Sequence, residues 1–416
     1  TDPSGAPSGS TPSPQGGGVI RFGIVGEPAT LDPYSPLASH LTYALVRPVY
    51  RSLYRFEPDG TPVADLVESI ETEGRRTVVR LVPAEWSDGS AITARDVRAT
   101  WRRARAPSGW RAVARLRVLD ERTVELTGDA SDWPRALARL TFVLPGGRPR
   151  PAIAGGPFRI AEITRGLRYV YEPNPRWDGP AVLPQRVVVT VVERLEILLA
   201  LLERGSLDGA WPPVGVNLRQ RLTEMGLESE SALGWELVYL DLSGSPLSAD
   251  QRFGLYGLID RARLDSGLVR DGGRIAHQLK IGPQRINIGQ GRGPAGSVPV
   301  GATLQLAVPV GDELLEFVQR VLQRDFAKAG VRLEMVTIDT ATFYGAWRRD
   351  DPIDLALRRH LGAPGLRPEE RVPDALPLWH MKSLLAWRSG VHGLRVNPTV
   401  EGPLWNASEW WIDRSR

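Results

Sequence analysis

The sequence of 416 residues contains no cysteine, so it can form no disulfide, bind no metal through thiolates and use no thiolate as a nucleophile. It also lacks an apolar run of the roughly 18 residues that a membrane-spanning helix needs. The longest candidate, residues 187–202, is interrupted by Glu193, Arg194 and Glu196. Neither a Gly-x-Ser-x-Gly elbow nor a His-Glu-x-x-His helix occurs, and the five histidines are scattered. We therefore predict that the chain is not an enzyme and holds no cofactor or metal.

Lysine is scarce: among 52 basic residues, only Lys280, Lys328 and Lys382 are lysines. An excess of arginine, together with abundant Ala, Gly and Pro, is typical of proteins encoded by GC-rich genomes such as those of actinobacteria. The net charge is +4, but the arginines are interleaved with acidic residues and no run of five or more basic residues occurs. The sequence therefore predicts no nucleic-acid partner.

The first 18 residues consist almost wholly of Gly, Ser, Pro and Thr. Such a stretch cannot bury apolar surface, and we predict that residues 1–18 form a flexible tether. The chain begins at Thr1 rather than at Met, as a processed export precursor does. A chain cut at an arbitrary boundary looks the same, so the composition leaves both origins open.

Alternating and β-branched segments predict strands along the first half of the chain. The predicted strands are residues 18–25, 76–82, 122–127, 155–160 and 187–192. Four leucines at helical spacing then predict a helix over residues 195–202, which Gly205 is placed to end. The stretch 144–157 is rich in Gly and Pro and is predicted to be a linker.

The second half of the chain contains the pattern of a β-α-β unit. Residues 303–308 alternate as a strand, residues 313–328 carry apolar side chains at helical spacing up to Gly330, and residues 331–338 form the returning strand. Parallel strands joined in this way form right-handed crossovers. Because open α/β sheets bind ligands beyond the carboxyl ends of their strands, we expect the binding site at such an edge.

The segment from Trp86 to Arg98 carries the most specific motif. A Trp-Ser-Asp-Gly turn leads to Thr93, which is placed to cap a helix, with Asp96 as its capping-box partner. The segment resembles the "WSDGxPxTAxDV" signature of the family 5 (peptide, dipeptide and nickel type) solute-binding proteins of ABC importers. Further segments are similar to motifs of that family in the same order: 27–33, 51–60, 62–69, 156–160, 174–177, 202–211, 248–261 and 375–379.

The resemblance implies an α/β fold of the two-lobed, periplasmic-binding-protein-like type (cluster C), with an accessory domain in the first lobe. On this basis, residues 1–18 are the tether, and residues 19–45, 153–240 and 376–416 form the core of lobe I. Residues 46–152 form the accessory domain, and residues 241–375 form lobe II.

The sequence departs from the family pattern in the second lobe. Between Asp354–His360 and Arg371 the family normally carries several dozen more residues, and in peptide-binding members an acidic residue there holds the ligand's amine. Here the chain passes through Leu361-Gly-Ala-Pro-Gly-Leu-Arg-Pro instead. The chain therefore resembles a shortened member, whose ligand class does not follow from the family.

The resemblance also nominates side chains for the ligand cleft. The candidates are Glu27, Trp211, Arg358, Arg359, His360, Trp379 and His380. Each has a structural alternative. Glu27 would pair with a cationic ligand group or be a solvated loop acid, and Trp211 would form an aromatic wall or pack in the core.

The remaining candidates have rivals of the same kind. Arg358 and Arg359 are adjacent on a predicted strand and point to opposite faces, so at most one of them faces the cleft. His360 would bind an anion or respond to pH, or else be a histidine with satisfied hydrogen bonds. Trp379 and His380 would touch the ligand, or pack at the hinge or in the core.

The resemblance implies an extracytoplasmic solute-binding protein that captures a small polar molecule or short peptide between hinged lobes and delivers it to an ABC transporter permease. We expect a monomer that touches the membrane only through an N-terminal lipid anchor, as a cell-surface lipoprotein, or that is periplasmic in a diderm. An alternative is a binding-protein fold reused as an enzyme or accessory factor in a biosynthetic pathway, because fold does not fix function.

Overall fold

The structure is a computed structural model that describes residues 16–35, 37–104, 109–213, 218–242, 245–260, 263–264, 273–275, 278–281, 284–287, 297–310, 313–339, 343, 353–361 and 375–413. Most of the predicted tether lies outside these residues. The strands of the structure are β1 Val19–Val25, β2 Tyr54–Phe56, β3 Pro62–Ala64, β4 Val67–Glu73, β5 Arg76–Leu81, β6 Val113–Val118, β7 Thr123–Gly128, β8 Phe158–Thr164, β9 Arg168–Pro173, β10 Arg186–Val192, β11 Gly209–Trp211, β12 Glu228–Asp241, β13 Gly273–Ile275, β14 Gln278–Ile281, β15 Gln284–Asn287, β16 Thr303–Pro309, β17 Arg332–Ile338, β18 Leu355–Leu361, β19 Ala375–Trp387, β20 Val391–His392 and β21 Trp411–Ile412. Its helices are α1 His40–Val46, α2 Ala94–Arg103, α3 Trp133–Leu137, α4 Leu195–Glu203, α5 Leu218–Glu224, α6 Ala249–Leu258 and α7 Glu313–Lys328.

The main sheet has eleven strands in the order β17-β16-β18-β12-β19-β11-β1-β10-β9-β8, with β13 paired to β19. A separate four-stranded sheet has the order β4-β5-β7-β6. Mixed sheets and helices make this an α/β protein, as the sequence predicts. In the described part of the chain, no helix is both long and apolar enough to cross a bilayer.

The predicted strand at residues 18–25 is confirmed as β1, which pairs in parallel with β10 and β11. The helix α4 packs on these strands with four of its five leucines buried. Gly23 makes this packing possible, since a Cβ atom there would lie 2.4 Å from a methyl of Leu198 and 2.5 Å from one of Leu207. Leu198 is fully buried, so it has little room to move aside.

The predicted β-α-β unit is confirmed: β16 and β17 pair in parallel, and α7 connects them. The apolar face of α7 is buried in a second hydrophobic cluster. Its buried members on the helix include Leu314, Leu315, Val318, Val321, Leu322 and Phe326. The helical spacing of these side chains accounts for the helix, since one face of it is removed from water against the sheet.

The capping box of the Trp86 motif is also confirmed. Asp96 accepts a hydrogen bond from the backbone N–H of Thr93 at 2.8 Å through Oδ2. Its Oδ1 accepts from the backbone N–H of Gly146 at 2.8 Å. Trp86 itself is only 2% exposed. The motif therefore fixes the start of α2 and ties it to a distant turn.

The prediction of a linker at residues 144–157 is wrong. Leu144 and Ala154 are fully buried, and the N–H groups of Gly155 and Gly156 donate to the carbonyl of Val49 at 3.0 and 2.8 Å. A Cβ atom at Gly156 would lie 2.6 Å from the carbonyl oxygen of Pro48. The glycine here permits close packing of two backbones, which composition alone cannot distinguish from flexibility.

Candidate functional site

Two groups of parallel strands approach the middle of the main sheet from opposite sides. In the first group, β11 runs antiparallel to β19, with Gly209 opposite Trp387 and Ala210 opposite Ala386. The carboxyl ends of β11 and of its parallel neighbours β1 and β10 therefore point along β19 from Trp387 toward its middle.

The second group points the other way. β18 runs antiparallel to β12, from Ala356 opposite Asp241 to Leu361 opposite Glu236, and β16 is parallel to β18. Its carboxyl ends therefore point back along β12 toward the first group. The two sets of strand ends meet at residues 233–237 of β12 and 380–382 of β19, which we call the central cleft.

The strands β12 and β19 connect two hydrophobic cores. Leu385 belongs to the cluster that contains Phe22, whereas Val238 and Leu378 belong to the cluster that contains Leu306. The pairing of β12 with β19 shifts register between Leu233 and Leu237. A Cβ atom at Gly234, within that irregularity, would lie 2.9 Å from the carbonyl oxygen of Met381. The connection between the two cores thus consists of strands with irregular pairing.

Glu27 lies just beyond the carboxyl end of β1, and its carboxylate is held by the β8–β9 hairpin. Oε1 accepts from the hydroxyl of Tyr169 at 2.8 Å, and Oε2 accepts from the backbone N–H of Gly166 at 2.7 Å. The Arg165 guanidinium lies 3.4 Å from Oε1. Burial, and then the hydrogen bond to Glu27, raise the pKa of Tyr169, so its hydroxyl stays protonated and donates.

Trp211 ends β11, next to β1, with Ile24 as its cross-strand partner. The ring of His40 at the start of α1 meets the Trp211 ring edge-on, with centroids 5.6 Å apart. Trp211 is only partly buried. Glu27, Trp211 and His40 therefore belong to the same edge of the first group of strands.

In the second group, Arg358 is paired within the protein. Its Nε lies 2.9 Å from Oδ2 of Asp241, and its guanidinium lies 5.0 Å from the centre of the Phe343 ring. Arg358 is opposite Tyr239 in the register. Its charge is therefore balanced by a neighbouring carboxylate.

Three other candidates lie close to the central cleft in the register. Arg359 is opposite Val238, and His360 is opposite Leu237. His380 is also opposite Leu237, on the other side of β12. The side chains of Arg359, His360 and His380 lie outside the described residues, so their roles stay predictions.

Trp379 is 2% exposed and belongs to the second hydrophobic cluster. Its indole Nε1 finds no hydrogen-bond acceptor within the described ranges. These are the surroundings of a residue packed in a core, and contact between Trp379 and a ligand stays a prediction. In the same ranges, no group of three or more His, Asp or Glu side chains is arranged to hold a metal ion.

No sequence motif predicts the partners of Glu27. Arg165, Gly166 and Tyr169 lie 138 to 142 positions along the chain from it, in a hairpin without a recognisable motif. A second long-range contact lies at the amino end of β11, where Asp208 accepts from the backbone N–H of Arg21 at 2.8 Å and from its Nε at 3.1 Å. Asp208 thereby ties β11 to β1.

Comparison with known proteins agrees with this architecture. A model of the bacterial extracellular solute-binding proteins, family 5 (middle region), matches residues 61–283. A putative binding protein of Brucella melitensis biotype 1 is 30% identical over 202 residues, which is 41% of this chain and 33% of that protein. The peptidoglycan-binding protein YepA of Agrobacterium fabrum is 27% identical over 198 residues, 40% of this chain and 32% of that protein. The matched part thus spans about a third of the length of these curated relatives.

Solved structures show the same fold over almost the whole chain. The oligopeptide-binding protein AppA from Bacillus subtilis, in complex with a nonapeptide, has a TM-score of 0.80 at 16% identity, covering 97% of this chain and 100% of that one. AgaA from A. tumefaciens R10, in complex with agropinic acid, has a TM-score of 0.77 at 16% identity, covering 96% and 99%. NikA from Brucella suis, in complex with Fe(III)-EDTA, has 0.76 at 16% identity, covering 95% and 100%. At these identities the likeness establishes the fold, which is that of the periplasmic binding proteins.

Proposed function

Because this chain belongs to family 5 of the bacterial extracellular solute-binding proteins, we propose that it captures a solute in the central cleft and delivers it to an ABC transporter permease. The observation that carries the proposal is the meeting of two opposed sets of strand ends at one stretch of β12 and β19. Ligands of open α/β sheets bind beyond such strand ends. A site between two opposed sets of strand ends can enclose a solute from both sides.

The two larger hydrophobic clusters support a division into two lobes. We assign residues 19–45, 153–240 and 376–416 to lobe I, with residues 46–152 as its accessory domain, and residues 241–375 to lobe II. The strands β12 and β19 then form the hinge, because they contribute to both cores. A hinge of two strands with a register shift absorbs a rotation at few residues.

Closure would stabilise the complex by removing the solute from water. A solute that contacts both lobes binds the closed state more tightly than the open state and shifts the population toward it. The closed pair of lobes then presents a surface that a permease distinguishes from the open form. The location implied by this role is extracytoplasmic.

The solute is a small polar molecule or a short peptide. The relatives named above are described with a nonapeptide, agropinic acid and Fe(III)-EDTA, and one is named for peptidoglycan. What these molecules share is polarity and charge. In the first lobe this chain offers a carboxylate and a tryptophan to such a solute, Glu27 and Trp211.

The experiment is native mass spectrometry of the purified protein, followed by small-angle scattering with the solute that it releases. We expect a co-purified small molecule, a smaller radius of gyration with the solute, and stabilisation of about 2.7 kcal/mol at a free concentration of 100 times Kd. The control is Trp177→Ala, which removes an aromatic side chain on the loop after β9. It should leave the co-purified molecule, the compaction and the stabilisation unchanged. A solute that binds without compaction would contradict closure between lobes.

A further inference from the structure

One exposed cation, Arg165, lies at the carboxyl edge of the first group of strands. The NH1 nitrogen of Arg165 has three oxygen neighbours: Oε1 of Glu27 at 3.4 Å, the carbonyl of Pro28 at 3.1 Å and the hydroxyl of Tyr169 at 3.5 Å. These separations are long for charge-assisted hydrogen bonds, which cluster near 2.7–2.9 Å. The Arg165 side chain is 55% exposed. Three acceptors therefore surround a cation that is held loosely.

The acceptors keep their positions independently of Arg165. The two oxygens of Glu27 are fixed by the short bonds from Tyr169 and Gly166, at 2.8 and 2.7 Å. The Tyr169 residue is fully buried, and it lies in β9 opposite Val189. The third acceptor is a backbone carbonyl. Removing Arg165 would thus leave a preformed arrangement of oxygens around an unoccupied position.

These oxygens lie at the edge of the sheet where we propose that the solute binds. Glu27 directly follows the carboxyl end of β1, and the N–H of Gly26 donates to the carbonyl of Val192 at the end of β10. Trp211 ends the strand on the other side of β1. A carboxylate that is one-quarter exposed at such an edge is accessible and also partly shielded from water. A cation placed there is bound more strongly than on an open surface.

We propose that Arg165 occupies, in the free protein, the place of a cationic group of the solute, and that an ammonium or guanidinium group replaces it on Glu27, Pro28 and Tyr169. The inference rests on the proposed solute capture and adds to it a positively charged group on the solute. The exchange costs little, because exposed ion pairs contribute little to stability. Arg165, once displaced, is free to turn toward solvent.

The test uses Arg165→Ala and methylguanidinium, a probe that reproduces the head group of arginine. Binding is followed by titration of the Gly166 amide signal in NMR spectra, since that N–H donates to Glu27. Removal of a competing surface pair worth about 1 kcal/mol should tighten binding about fivefold over the wild type. Methylammonium should behave in the same way, and sodium acetate should not bind.

Three further variants separate this role from general loosening of the hairpin. In the Arg165→Ala background, Glu27→Gln should abolish binding and Tyr169→Phe should weaken it. The matched control is Arg168→Ala, which removes an exposed arginine of the same hairpin that is paired with Glu162 at 2.8 Å. That variant should bind methylguanidinium no better than the wild type. Thermal melting of each variant shows whether it is folded.

The opposite results overturn the inference. They are equal binding by Arg165→Ala and wild type, binding that survives Glu27→Gln, or binding of acetate to the wild type through Arg165. These results leave solute capture itself intact. A co-purified solute that causes compaction but has no cationic group would likewise refute the inference and support the proposed function. Absence of any compaction would refute the proposed function while methylguanidinium binding still stood.

Discussion

Arg47 and Glu401 form a buried ion pair. The free energy of unfolding that is lost when this pair is removed should depend strongly on pH. NH1 of Arg47 lies 2.5 Å from Oε2 of Glu401, and the two side chains are 7% and 2% exposed. Oε1 of Glu401 accepts from the backbone N–H of Phe56 at 3.0 Å. The pair fastens the C-terminal segment to the end of α1. Burial raises the pKa of Glu401 above its usual 4.5, although Arg47 opposes this effect.

The informative substitution is Arg47→Met, which keeps much of the volume packed against Phe142 and removes the charge. Glu401 then has two options: to remain ionised and unpaired, at a cost of about 3–5 kcal/mol, or to take up a proton. Protonation costs about 1.4 kcal/mol for each pH unit above 4.5. It therefore limits this penalty to about 3.4 kcal/mol at pH 7 and about 0.7 kcal/mol at pH 5.

A second part of the loss does not depend on pH. NH2 of Arg47 donates to the carbonyl of Tyr50 at 2.8 Å, and this bond is lost as well, at about 1 kcal/mol. The total is about 4 kcal/mol at pH 7 and about 2 kcal/mol at pH 5. The sign follows from proton binding: a folded state with a raised carboxyl pKa binds more protons than the unfolded state, so its stability falls as pH rises from 4.5 through the folded pKa.

The assay is urea unfolding followed by tryptophan fluorescence at pH 5, 6 and 7. In the double variant Arg47→Met/Glu401→Gln, the pH dependence that comes from Glu401 should disappear, because its carboxyl has been replaced by an amide. Asp65 also lies 3.5 Å from NH2 of Arg47, but it keeps Arg51 as a partner at 2.8 Å. The matched control is Arg75→Met, since Arg75 and Asp129 form a pair with side chains 70% and 80% exposed and should contribute nothing measurable. A loss of stability in Arg47→Met that is the same at all three pH values would refute the reasoning.

Three other substitutions test contacts that fix the architecture. Asp208→Asn should cost about 2 kcal/mol, measured by urea unfolding, because the buried carboxylate loses its paired bonds to Arg21; a neutral outcome would show that β1 and β11 need no such tie. Gly128→Ala should cost at least about 3 kcal/mol or prevent folding, since the new Cβ would lie 1.9 Å from the carbonyl oxygen of Ala112; circular dichroism and melting of the purified variant check this. Asp96→Ala should cost about 1 kcal/mol by the loss of the cap of α2, and an unchanged melting temperature would contradict that assignment.

The sequence was sufficient for the elements whose causes are local. The strands β1 and β10, the helices α4 and α7 and the capping box of α2 depend on the spacing of apolar residues or on contacts three positions apart. The ordered family motifs added the fold class, because together they cover most of the folded chain. The misassigned stretch 144–157 shows the limit, since glycine permits both a flexible linker and a close backbone contact.

The tertiary structure alone decided which side chains meet. Strand order and register bring Glu27 to the β8–β9 hairpin, and they pair Arg358 with Asp241. They also bury Trp379 within a core. None of these outcomes has a local cause, because each depends on partners brought together by pairing between distant strands. The sequence by itself determined the elements and the family. Long-range register determined the position of the central cleft, because it sets which strand ends face each other.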